Sequence, residues 1–305
     1  MGAIASFINT DIRMMMPILI AAMGLVYAER SGILNIGAEG IMLIGAFVGY
    51  VTAIKTGSVW IGLLAAMASG ILAGVLFAFM TITLMADQTV VGAAYNILGL
   101  GLSTTLNRIA FGVNSTADKV NSIGKVHIPG LSDIPYIGEM FFNYNIMIYV
   151  IIALLFVSHY VMFHTKLGLK VRAVGENPRA CDTLGINVYR VRYGAVLYST
   201  MMCGLAGAYL STINLSRFNE DMVVGRGFIA LSAVVFGRYS PLGVLIASLV
   251  FGGGQALEAK FAALNTPIPD QLLQMLPYVL TILALVVSAG KSGSPAAETI
   301  PYEKN

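Results

Sequence analysis

Residues 58–85 read SVWIGLLAAMASGILAGVLFAFMTITLM, twenty-eight consecutive positions without one charged side chain. A helix needs about 20 predominantly apolar residues to cross the hydrocarbon core of a bilayer. This stretch is long enough to do so with some tilt. The pattern recurs on both sides of it, at 14–28, 31–52, 88–111, 141–164, 191–214, 226–237, 241–257 and 269–289. Together these segments predict an all-α, polytopic integral membrane protein of about nine transmembrane segments. Segments 14–28 and 226–237 are too short for a full crossing. Short or interrupted segments in the two halves of a transporter point to broken helices near the bilayer midplane.

Composition agrees with the segment pattern. Of 305 residues, 57% are hydrophobic and 11% charged, against roughly 25% charged in an average soluble domain. The mean hydropathy is +0.80. A water-soluble enzyme of this length would need far more polar surface, so that class is excluded. The net charge of +3 is too small and too scattered for a nucleic-acid footprint. Two cysteines, Cys181 and Cys203, make no disulfide framework. No Lys or Arg precedes Arg13, so the N-terminus reads as a retained span rather than a cleaved signal.

Sidedness follows from Lys and Arg. The loop 165–192 carries Lys166, Lys170, Arg172, Arg179, Arg190 and Arg192 against Glu176 and Asp182, and is placed in the cytoplasm. Counting spans outward, Glu29–Arg30, Asp87, Arg238 and the tail also fall inside. The N-terminus, Lys55, the 112–140 loop, 215–225 and 258–268 fall outside. The totals are ten Lys/Arg inside and eight outside, so the assignment rests on the one basic loop. Residues 1–290 thus form a single transmembrane domain. Loop 112–140 is an extracytoplasmic segment with room for a small ordered cap. The Ser/Pro/Glu-rich stretch 291–305 reads as a disordered cytoplasmic tail.

The basic loop also carries well-placed helix punctuation. Asn177 is a good N-cap, and Pro178 suits the first helical position, where its missing N–H costs nothing. Arg179–Leu184 supply about two turns, and Gly185 can take the left-handed conformation that ends a helix. So short a helix is marginal by itself. It either docks a partner surface or merely connects two spans.

Here the chain resembles a known family. Gly168-Leu-Lys-Val-Arg-Ala-Val-Gly-Glu-Asn-Pro-Arg-Ala180, followed by Leu184-Gly-Ile186, is similar to the coupling-helix loop of ABC-importer permeases serving branched-chain amino acids, ribose-type sugars and nucleosides. Glu29-Arg-Ser-Gly-Ile-Leu-Asn-Ile-Gly-Ala-Glu-Gly-Ile-Met-Leu-Ile-Gly-Ala-Phe47 resembles the same family. Its Glu29-Arg30-Ser31-Gly32 opening, like Gly227–Gly237, is most similar to the nucleoside permeases. The likeness spans roughly residues 15 to 288. It implies a permease subunit of an ATP-driven importer in the bacterial cytoplasmic membrane. A cytoplasmic ABC ATPase would dock on Glu176, Asn177, Pro178, Arg179, Ala180, Asp182 and Gly185. The partners implied are that ATPase, a second and non-identical permease chain, and an extracytoplasmic substrate-binding protein or lipoprotein. ATP and Mg would bind the ATPase, leaving this chain with no cofactor and no metal. Ribose-type sugars or branched-chain amino acids are the alternative cargo.

This chain is not expected to hydrolyse ATP. Gly290-Lys291-Ser292 matches the second half of a phosphate-binding loop, but Leu285 stands where its first glycine is required. Gly225-Arg-Gly227 mimics a dinucleotide fingerprint without the strand–turn–helix context. No catalytic constellation stands out, and the three histidines show no ligand spacing.

Polar residues inside spans are the remaining candidates. Asn35 and Glu39 lie four apart, so they share a helix face. A charge at a span centre costs about 2.5–3.5 kcal/mol on insertion scales, so Glu39 should face the interior. It either lines a pathway or clamps helices together. In 88–111, Gly92, Asn96, Gly99, Ser103 and Asn107 form one helix stripe, suited to close packing or to a polar passage. Tyr95 beside it either stacks on a base or packs. Gln255, after Gly252-Gly-Gly254, is a weaker passage candidate. Thr200, Cys203, Gly204, Gly207, Ala208 and Ser211 form a small-residue packing face. Gly37-Ala-Glu-Gly40 and Gly225-Arg-Gly227 each open an apolar run, a pattern that fits two related halves and equally fits chance in a Gly-rich chain. The substrate-pathway candidates are therefore Asn35, Glu39, Asn96, Ser103, Asn107 and Gln255. An ion-coupled secondary transporter is the rival from another class, with Glu39 its only deep acidic candidate.

Overall fold

A computed structural model describes residues 3–112, 119–121, 123–124, 142–263 and 293–304, with isolated positions between 272 and 286. Its regular elements are helices: α1 (Ala3–Arg30), α2 (Ala38–Thr56), α3 (Val59–Ala78), α4 (Gln88–Phe111), α5 (Ile146–His164), α6 (Lys166–Glu176), α7 (Pro178–Thr183), α8 (Val188–Ala208), α9 (Arg226–Phe236) and α10 (Pro241–Ala263). Among the described residues, α1, α2, α3, α4, α5, α8 and α10 are long and apolar enough to cross a membrane. The wider-wound turns Phe79–Thr83 and Tyr209–Asn214 prolong α3 and α8, so two long helices in different halves end the same way.

In lipid, apolar surface alone does not drive one helix onto another; close backbone approach and interhelical hydrogen bonds do. The interior shows both. A methyl group added to Gly45 would meet the Gly204 Cα at 2.5 Å, and one on Gly49 would meet the Ala208 Cβ at 2.6 Å. The small-residue face of α8 is therefore the seam against α2. Ser211 reinforces it by donating to the Ala46 carbonyl at 2.8 Å. Helices α1, α2 and α8 are buried through most of their length. Helices α3, α4 and α5 turn Leu64, Leu72, Val90, Ile97, Ile109 and Phe156 outward, as a lipid-facing layer requires.

Four expectations change. Segment 14–28 is not a short span. It is the latter part of the 28-residue α1, which also takes in Asn9, Thr10, Asp11 and Arg13. Hydropathy hid that continuation, because those polar residues break the apolar run without breaking the helix. Segment 31–52 is not one helix either, since α2 starts only at Ala38. Asn35 therefore lies in the connection and shares no helix face with Glu39. A second helix, α6, precedes the short one in the basic loop. Residues 293–304, read as a disordered tail, are packed onto the bundle. Ala297 N donates to the Gly175 carbonyl at 2.9 Å, and Thr299 N to that of Gly32 at 3.1 Å. Segment 226–237 is short as expected, and forms the 11-residue α9. Most of loop 112–140 and of segment 269–289 lies outside the described residues.

Candidate functional site

The basic loop folds into an arm of two helices joined at Asn177. Thr165 opens α6, its hydroxyl accepting from Gly168 N at 3.3 Å. Asn177 opens α7, its Oδ1 accepting from Ala180 N at 3.0 Å, with Pro178 in the first turn. Gly185 ends α7 at φ +80°, a conformation that a side chain would strain. Asn187 then opens α8, its Oδ1 accepting from Arg190 N at 3.0 Å. The local sequence thus dictates the arm's shape. Glu176, Asn177, Arg179, Ala180 and Gly185 are exposed on its tip, while Pro178 and Asp182 are half-buried. Leu184 is 79% exposed there, an apolar side chain open to a partner.

The arm has its own small core. Val174, Cys181 and Val188 pack together with Tyr302 from the tail, and burial pushes the Cys181 thiol pKa up. Glu176 Oε2 accepts from Ala296 N at 3.4 Å. Lys304 Nζ lies 4.0 Å from Asp182 Oδ1. Arg192 is fully buried below this core. Its Nε donates to the Ser31 carbonyl and its Nη1 to that of Ile300, both at 3.2 Å. The positive count of the loop concealed this role, because one of its six cations belongs to the interior. Beside the tail, Arg30 Nε donates to the Tyr239 carbonyl at 2.8 Å. The Tyr239 hydroxyl reaches Glu298 Oε2 at 3.5 Å. Burial raises the Glu298 carboxyl pKa, and that hydrogen bond opposes the rise.

The second assembly lies deep in the bundle. Helix α9 has 11 residues, and at about 1.5 Å per residue it covers roughly half of a ~30 Å hydrocarbon core. It is too short to cross alone, and it opens at Gly225–Gly227. Glu39, in the first turn of α2, meets it there. Glu39 Oε1 accepts from Gly225 N at 2.7 Å and Oε2 from Gly227 N at 2.6 Å. A carboxylate on free backbone N–H groups at a helix start is favoured by both hydrogen bonding and the helix dipole. Gly225 sits at φ +75°. A Cβ on Gly227 would lie 2.6 Å from Glu39 N. Both glycines are thus required for the two helix starts to meet. The two Gly-flanked openings noted in the sequence thus stand one against the other.

Asn96 performs the matching task on the other side of α2. Its Oδ1 accepts from Gly40 N at 2.9 Å and its Nδ2 donates to the Ile36 carbonyl at 3.1 Å. Gly99 faces the Gly40 backbone, and Gly92 faces Ile36 and Gly37. The α4 stripe is therefore a seam against the start of α2. Ser103 is buried and donates to the Leu100 carbonyl at 3.2 Å; Asn107 is half-buried. Tyr95 packs edge-on to Phe77 at 5.4 Å and donates to the Ala73 carbonyl at 3.0 Å. Gln255 Oε1 accepts from Arg226 Nε at 3.4 Å. Arg226, not singled out by the sequence, joins this deep polar cluster. Asn35 is fully buried, and neither end of its amide has a partner among the described residues.

Comparison with known proteins follows the same lines. A family model described as the permease component of branched-chain amino acid transport systems matches residues 8–285. The guanosine ABC transporter permease protein NupQ of Bacillus subtilis is 43% identical, over 94% of this chain and 93% of its own. The nucleoside ABC transporter permease protein NupC of Lactococcus lactis is 37% identical, over 95% and 94%. The putative glucose ABC transporter permease protein TsgC13 of Haloferax volcanii is 31% identical, over 93% and 92%. A weaker match in the same Bacillus, at 26% identity, is a second guanosine permease protein, NupP.

Proposed function

The chain belongs to the branched-chain amino acid transport system permease family, and on that premise we propose that it moves nucleosides inward across the cytoplasmic membrane by alternating access. The observation that carries this reading is the similarity, at 43% and 37% identity over nearly full length, to permeases named for guanosine and for nucleosides. A separate ATPase supplies the energy, binding ATP and Mg itself and docking on the arm tip from Glu176 to Gly185. This chain holds no cofactor of its own. The occurrence of NupP beside NupQ in one organism supports a second, non-identical permease chain as partner. An extracytoplasmic binding protein delivers the nucleoside.

Contacts in the arm supply a route for the motion. Gly175 lies against the Arg30 carbonyl, and Arg192 grips Ser31. Movement of the arm is thereby passed to residues 31–37. Those residues lead directly into the start of α2, where Glu39 holds α9 and Asn96 holds α4. Displacing that start shifts three helices together, and the passage opens beside them. Asn35, Ser103, Asn107 and Gln255 offer a neutral, many-hydroxyl solute donors and acceptors without fixed charge.

Uptake of radiolabelled guanosine, in cells with and without this chain, tests the cargo. Unlabelled nucleosides are expected to compete, and ribose, glucose and leucine are not. Competition by a sugar alone would replace the nucleoside reading, which the 31% likeness to a putative glucose permease makes the rival to exclude. Uptake that persists in cells depleted of ATP would remove the motor as well.

A further inference from the structure

An open groove of about 510 Å³ runs between α1, α5, α6 and α8, below the arm. Its size falls within the roughly 300–1,000 Å³ of small-molecule sites. The floor is set by Tyr27 and Tyr198, whose rings stand 4.6 Å apart. Ser158 joins them, its carbonyl accepting from the Tyr27 hydroxyl at 2.8 Å. The walls are apolar side chains of α5 and α8. On the outer flank Val157 and Leu167 are 56% and 68% exposed, so the groove opens sideways toward lipid.

Two cations, Lys170 of the arm and Arg190 at the start of α8, line the groove. Arg190 lies in the first turn of α8, and Lys170 lies six residues past the end of α5. Both therefore sit where spans leave the hydrocarbon, at headgroup depth. Among the described residues, no carboxylate forms an ion pair with either. An apolar slot flanked by two cations that no carboxylate among the described residues pairs matches a ligand with an acyl chain and an anionic head. Basic pockets between transmembrane helices on the cytoplasmic side recognise acidic lipid headgroups in this way.

We infer that this groove binds one anionic phospholipid, with its phosphate between Lys170 and Arg190 and an acyl chain over Tyr198 and Gly194. Gly194 provides a clean lever, because a Cβ there would meet nothing within 4 Å. Gly194→Leu fills the slot without displacing backbone.

The test is native mass spectrometry of the full chain in non-ionic detergent. The chain is incubated with equal amounts of phosphatidylglycerol and phosphatidylcholine, and each variant is checked for unchanged elution on gel filtration. The unaltered chain is expected to retain one phosphatidylglycerol in preference to phosphatidylcholine. The double variant Lys170→Gln/Arg190→Gln should lose that preference, and Gly194→Leu should retain neither lipid. Equal retention of the two headgroups by the unaltered chain overturns the inference. So does an identical lipid count in all three proteins, the result expected if protein fills the groove. Lipid counts are independent of uptake, so a failure here is separable from a failure of the nucleoside reading.

Discussion

Glu39 is the residue on which the two helix openings depend. Both carboxylate oxygens accept backbone N–H groups. A glutamine retains one acceptor and turns an amide donor toward the other N–H. Removing a partner from a buried donor costs about 1–3 kcal/mol. Glu39→Gln should therefore lower thermal stability in detergent by that order, read as a fall in melting temperature. Unchanged stability would show that the α9 start finds other acceptors. Asn96 separates two roles that its sequence left open. As a passage residue, Asn96→Leu would reduce uptake at constant protein. As the clamp seen between Ile36 and Gly40, it should leave two backbone groups unpaired, at about 1–3 kcal/mol each, and reduce the folded protein recovered from the membrane. Quantifying both in the same cells decides between them. The stripe itself was legible from spacing. Its use was not, because an amide that lines a passage and one that caps a helix obey the same periodicity.

At the scale of elements, the arm was the most readable part. Asn177, Pro178 and Gly185 perform the capping that their positions predict, since caps are local and need no knowledge of the rest of the chain. Asn177→Ala should cost about 0.5–2 kcal/mol of helix stability, visible as faster amide exchange over 178–183. The tail was unreadable for the opposite reason. Its hold comes from carbonyls at 32 and 175 and from Arg192, partners more than a hundred residues away. Its docking should also depend on pH. Glu298 titrates above its ordinary range because it is buried, so the docked tail favours the protonated form. That contribution is complete below the ordinary carboxylate pKa and is lost as pH rises through the raised value. The Tyr239 hydroxyl and the Glu29 carboxyl are the polar groups that face Glu298. Proteolysis of the tail should accelerate as pH rises above the ordinary carboxylate range, and Glu298→Gln should flatten that rise.

Across the whole molecule, hydropathy identified the class and most of the spans, because the bilayer imposes length and polarity on each helix independently. It misplaced the first two boundaries, at α1 and α2. There, polar side chains continue a helix in one case and apolar ones leave it in the other. The interior is held by backbone approaches such as Gly45 to Gly204, which depend on pairing between distant segments. A single Gly45→Val should therefore prevent assembly of α2 with α8, and the protein should fail to accumulate in the membrane. Normal accumulation would mean that this seam can slide.

The clasp formed by residues 293–304 also imposes an order in time. The arm at 165–187 leaves the ribosome with more than a hundred residues still to come, yet Tyr302 and the Ile300 carbonyl complete its core only after α10 has been threaded. A half-made chain therefore offers an unfinished dock, and a motor that recognises only the closed arm would ignore it.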